Sequence, residues 1–72
     1  MSQLIINALI KEAEAKEAKA LANLNNYMAN AAGIGEHPDI VEECMKLVKE
    51  IAEAREMKET VTNLVNENSD NR

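Results

Sequence analysis

Seventy-two residues with a net charge of −5, one cysteine, one histidine and one aromatic side chain make a single small domain with few means of bracing itself. Cys44 alone cannot form an internal disulfide, and Cys44 with His37 is a thin ligand set for zinc. A chain of this size rarely draws more than ~3–5 kcal/mol from one core, so self-association is the staple that remains.

The charge is unevenly placed. The first half balances Lys11, Lys16 and Lys19 against Glu12, Glu14 and Glu17. From Glu36 to Glu59 eight acids stand against Lys46, Lys49, Arg55 and Lys58. An acidic surface without a basic stripe lacks the phosphate-neutralising term that drives nucleic-acid binding, and it is equally unsuited to anionic lipid. No apolar run approaches the ~20 residues of a membrane span. The Leu4-Ile5-Ile6 start has neither a basic segment before it nor a convincing cleavage site, so no signal peptide is read there. A lone cysteine suits a reducing compartment, and a cytoplasmic location is the default expectation.

In chain order, the first element is a helix over about 3–32. This stretch has no Gly or Pro and is rich in Ala, Leu, Glu and Lys, all good helix formers. Ile6, Ile10, Ala13, Glu17, Ala20, Leu24, Tyr27 and Ala31 follow one another in alternating steps of four and three, which draws one stripe along a helix broken only by Glu17. Its middle is alanine-rich. Ala13 and Ala20 on the stripe would let a second helix approach closely, whereas Ala15, Ala18 and Ala22 lie off it. Alanine is also simply the best helix former, so a solvated face is an equal reading.

The turn is expected at 33–37. Gly33 suits the left-handed position after a helix end, with Ile34 folding back onto the last turn and Gly35 giving a second free bend. Pro38 would open the next helix as its first residue, with His37 as the cap, although histidine is not favoured there. Asp39, Glu42 and Glu43 crowd the start of that helix, where carboxylates favour the positive end of the dipole.

The second helix is expected over 38–65. Its stripe is Ile40, Cys44, Leu47, Ile51, Ala54, Lys58, Val61 and Val65, again in fours and threes. Val41, Met45, Val48 and Ala52 form a flanking row, so the apolar face is wider than a two-stranded seam. The polar, aperiodic run 67–72 reads as a disordered tail beyond a hairpin occupying 1–66.

The fold class is therefore all-α: an antiparallel two-helix hairpin that dimerises into a four-helix bundle. A hairpin is one layer, and a wide apolar face needs a second layer to cover it. A two-fold homodimer is the commonest solution, and higher oligomers are compatible with the same faces. The interface is expected to use Ile6, Ile10, Leu24, Tyr27, Ile40, Cys44, Leu47, Val48, Ile51 and Val61, with Gly33, Gly35 and Pro38 making the turn. If positions n and 70 − n face each other, Lys58 meets Glu12, and Glu17 reaches water or a second protomer.

Residues that could carry chemistry have plainer roles to hand. Glu36, His37 and Asp39 could bind a metal or move protons. They stand where a helix start wants acids, and no nucleophile or Cys/His cluster accompanies them. Carboxylates on facing helices can hold two metal ions, but such bundles use Glu-x-x-His pairs and none occurs here. Cys44 on the stripe reads as a buried structural thiol, and Met28, Met45 and Met57 as core filler. Asn23, Asn25, Asn26 and Asn30 form a possible contact surface or a solvated helix end. No catalytic, cofactor-binding or metal residue is assigned, and no cofactor is expected.

The segment Gly33-Ile34-Gly35-Glu36-His37-Pro38-Asp39-Ile40-Val41-Glu42-Glu43, preceded by Asn26-Tyr27-Met28, resembles small helical-hairpin proteins of marine tailed phages, cyanophages in particular. The resemblance covers about the middle half of the chain. It implies a phage accessory protein in a host cytoplasm, and it carries no catalytic residues to transfer. The function expected is that of a non-enzymatic, self-associating protein acting through protein–protein contacts. The alternative is an acidic adaptor or inhibitor that lays its apolar helix face into a groove of a host protein.

Overall fold

The structure, a computed structural model, describes residues 2–30 and 39–70, with side chains as far as Glu67. Among the described residues there are two helices, α1 (Gln3–Asn30) and α2 (Ile40–Asp70), packed against each other. The molecule is a rod of 57 × 17 × 14 Å. The expected turn residues Gly33, Gly35 and Pro38, and with them Glu36 and His37, lie outside the described residues.

Local chemistry sets the helix starts. The Ser2 carbonyl accepts the first α1 bond from the Ile6 N–H at 3.0 Å. α2 is described from Ile40; the expected start at Pro38 with His37 as cap falls outside the described residues. Asp39 is the cap: its Oδ1 accepts from the Glu42 N–H at 2.8 Å, and its carbonyl accepts from the Glu43 N–H at 3.1 Å. Aspartate satisfies an orphan N–H of the first turn, which a histidine does poorly. Glu42 and Glu43 then stand in that turn, at the positive end of the dipole.

At its other end α2 runs to Asp70, so the backbone over 67–70 is helical where a disordered tail was expected. Once a helix exists, each further residue adds a bond without the cost of nucleation, and a solvated polar turn can extend it unaided. Low apolar content removed the packing signal at 67–70 without opposing the helix itself.

The seam between the helices follows the stripes. On α1 the residues withdrawn from solvent are Ile6, Ile10, Ala13, Glu17, Ala20, Leu24 and Tyr27. On α2 they are Ile40, Cys44, Leu47, Ile51, Ala54, Lys58, Val61 and Val65. Ala13 and Ala20 are each 1 % exposed, while Ala15, Ala18 and Ala22 are open to solvent. Close packing therefore holds for the two stripe alanines and the solvated reading for the other three.

Burial is not uniform along the rod. The buried residues sit around the middle of the rod (Ala13, Ala20, Ile51 and Ala54) and toward the end away from the chain reversal (Ile6 and Val61). Toward the reversal, Leu24, Tyr27, Ile40, Cys44 and Leu47 are only half-buried. Ile10 and Val65 are half-buried as well, so the most complete burial is at Ala13 and Ala20, which are small enough for the facing helix to cover.

Candidate interaction surface

Two ion pairs fix how the helices are aligned. Arg55 Nε donates to Glu17 Oε2 at 2.7 Å, and Lys58 Nζ donates to Glu14 Oε2 at 2.6 Å. Both join positions n and 72 − n, so the alignment is displaced by two residues from the one expected. The Glu12–Lys58 pair does not form, and Glu17 is held within the chain by Arg55. The Lys58 ammonium, first by its hydrogen bond and then by its charge, holds the Glu14 carboxyl below its ordinary value. Glu14 reciprocally holds Lys58 above its own. Both pairs bridge α1 and α2 at the solvent-exposed edge of the seam, with Glu17 the most covered of the four side chains.

These pairs mark one side of the seam. By helical spacing the same side carries Leu21 and Met28 on α1, seven residues apart, and Val41 and Val48 on α2, also seven apart, with Met45 between and beside the latter two. All five are open to solvent: Leu21 41 %, Met28 69 %, Val41 71 %, Met45 67 % and Val48 52 %. They lie in the half of the rod near the chain reversal, where the stripe residues Leu24, Tyr27, Cys44 and Leu47 are half-buried. The Glu17–Arg55 pair sits at the midpoint, and Glu14–Lys58, Lys11 and Glu59 lie beyond it, with Leu4 open at the far end.

The opposite side of the seam is mixed, with Leu9, Met57 and Leu64 open to solvent among polar neighbours. An open groove of ≈ 420 Å³ is lined by Lys16, Lys19, Asn23, Leu47, Glu50, Glu53, Ala54 and Met57. A second continues along it past Asn26, Tyr27, Glu43 and Lys46. Of the asparagine cluster, Asn23 and Asn26 line these grooves, and Asn30 Nδ2 donates to Asn26 Oδ1 at 2.8 Å and to its carbonyl at 3.2 Å. These bonds complete the helix end with side-chain partners, as capping requires.

The residues expected at an oligomer interface are divided by the structure into three groups. Ile6, Ile51 and Val61 are buried inside the hairpin, where the facing helix already covers them. Ile10, Leu24, Tyr27, Ile40, Cys44 and Leu47 are half-buried along the seam, and only Val48 is open. Cys44 carries a free thiol that is half-buried, less enclosed than its position on the stripe suggested. Leu21, Met28, Val41 and Met45 were not among the expected interface residues. The seven-residue spacing of Leu21 with Met28 and of Val41 with Val48 was the signal that could have found them.

Among the described residues, no group of three or more His, Cys, Asp and Glu is placed to hold a metal ion, and no helix is long and apolar enough to cross a membrane. Comparison of the chain with protein-family models, with curated proteins and with solved structures finds no match.

Proposed function

We propose that this hairpin is a non-enzymatic self-association module that acts through protein–protein contacts, with a homodimeric four-helix bundle as its working form. The observation that carries the reading is the open apolar group Leu21, Met28, Val41, Met45 and Val48 on one side of the seam. Soluble monomers rarely leave a contiguous apolar patch uncovered, and a single helical layer has nothing else of its own to cover it. A second copy offers an identical patch, and closed two-fold pairing of like patches is the commonest way chains of this kind associate. The resemblance of the Gly33–Glu43 segment to marine phage proteins supports an accessory role in a host cytoplasm as the setting.

The test is the mass in solution. Light scattering on the pure protein at micromolar concentration is expected to give twice the chain mass of 8.0 kDa. Met45→Glu is expected to raise the dimer Kd about 100-fold or more, because a buried unpaired charge costs roughly 3 kcal/mol or above. A fully helical monomer of the unmodified chain would overturn the proposal and leave a groove in another protein as the destination of the patch.

A further inference from the structure

Resting on that self-association, we infer that the two copies meet through the Arg55 side of the seam with their chain reversals at the same end, the two-fold axis running along the rod. Position n of α1 lies level with position 72 − n of α2, as the Glu14–Lys58 and Glu17–Arg55 pairs fix. The Arg55 side is thus divided lengthwise. Its half near the reversal is apolar, Arg55 stands at the midpoint, and its far half carries Lys11, Glu14 and Glu59, with Leu4 the one open apolar side chain there among the described residues.

Two copies can be laid fully face to face in two ways. With reversals at opposite ends, each apolar half lies on the partner's mainly charged half, only Met28 coming beside an apolar side chain, the partner's Leu4. Arg55, the midpoint of Ile40–Asp70, then meets its own copy across the axis. With reversals together, α1 of one copy lies over α2 of the other and like meets like. Leu21 comes level with position 51, between the partner's Val48 and the partner's Ala52. Met28 comes level with position 44, beside the partner's Met45. Lys11 comes level with position 61, facing the partner's Glu59.

That last juxtaposition selects the arrangement. Lys11 and Glu59 are both exposed, and neither has an ion-pair partner within the chain among the described residues. The two-fold axis gives each an opposite charge at nearly its own level, twice per dimer. Helix dipoles do not decide the matter, because facing helices run antiparallel in both arrangements.

Spin labels on Glu67→Cys in a Cys44→Ala background read the orientation directly. With helix spacings of about 10 Å, labels at one end of a four-helix bundle lie about 20–30 Å apart. With reversals at opposite ends they lie about 40 Å apart, since position 67 is some twelve residues from the midpoint at ~1.5 Å each. A half-overlapped dimer joined only through its apolar halves gives about 60 Å by the same reckoning. A second measurement needs no label: Lys11→Glu and Glu59→Lys are each expected to weaken the dimer about two- to tenfold, and the double variant to restore it. A dimeric mass with labels at 40 Å or beyond, or a double variant no better than the singles, overturns this orientation and leaves self-association standing. A monomeric mass overturns both.

Discussion

Ala20→Leu probes the tightest point of the hairpin. Ala20 is 1 % exposed and is level with the partner-helix segment around Ile51 and Ala54, themselves buried. A leucine adds three carbon atoms where the facing helix leaves no room, so either the helices separate locally or the new side chain leaves its preferred rotamer. Overpacking of this kind costs about 1–3 kcal/mol. In a domain of this size each kcal/mol moves Tm by about 4–8 °C, so a fall of roughly 5–20 °C is expected. Ala15→Leu is the control: the site is exposed, both residues are good helix formers, and the change is expected to stay within about 0.5 kcal/mol. Both melts are followed by circular dichroism at one protein concentration, because self-association makes Tm concentration-dependent. An Ala20→Leu protein melting within about 2 °C of the parent would refute the close approach of the helices, since overpacking could not then be absorbed so cheaply.

Asp39→Ala removes the cap of α2, with its 2.8 Å bond to the Glu42 N–H, and is expected to cost about 1 kcal/mol in chemical denaturation. A cost below about 0.3 kcal/mol would mean that water replaces the carboxylate without loss. The Glu14–Lys58 pair gives a pH signature whose sign follows from the directions of the two shifts. Glu14 is lowered in the folded chain, so its contribution is present above its unfolded pKa and is lost as pH falls through the folded value. Lys58 is raised, so its contribution is present below its unfolded pKa and is lost as pH rises through the folded value. The Tm difference between the parent and Lys58→Met should therefore be flat through the neutral range, small because the pair is exposed, and should vanish on acidification through the carboxylate range. A difference that survives there unchanged would assign the effect to the lysine stem and not to the ion pair.

The seam was legible because it rests on spacing alone. Alternating steps of four and three select one helical face whatever the residue size, so Glu17 and Lys58 could be placed on the stripe among the aliphatics. Alignment was less legible. It depends on the geometry of the reversal, and a displacement of two residues was enough to pair Lys58 with Glu14 in place of Glu12. Asp39 was read only as an acid at the positive end of the helix dipole, and its capping bond to the Glu42 N–H went unseen because the proline drew the cap toward His37. The candidate interface was the least legible part. Ile6, Ile51 and Val61 are apolar in the same way as Met28 and Met45, and only knowing which apolar residues the facing helix uses separates the first group from the second.

The uneven closure of the rod bears on how its backbone breathes. Amide hydrogen exchange reports local opening, and protection tracks buried apolar contact. The slowest amides should therefore sit around Ala13–Ala20 and Ile51–Val61, while those around Leu24–Tyr27 and Cys44–Leu47 exchange faster although the chain reversal ties that end together. If a second copy seats on the open patch, exchange in that end should slow as protein concentration rises, while the alanine-sealed middle barely responds. The same solution would then hold two clocks on one rod, one set by the chain itself and the other by how many neighbours it has.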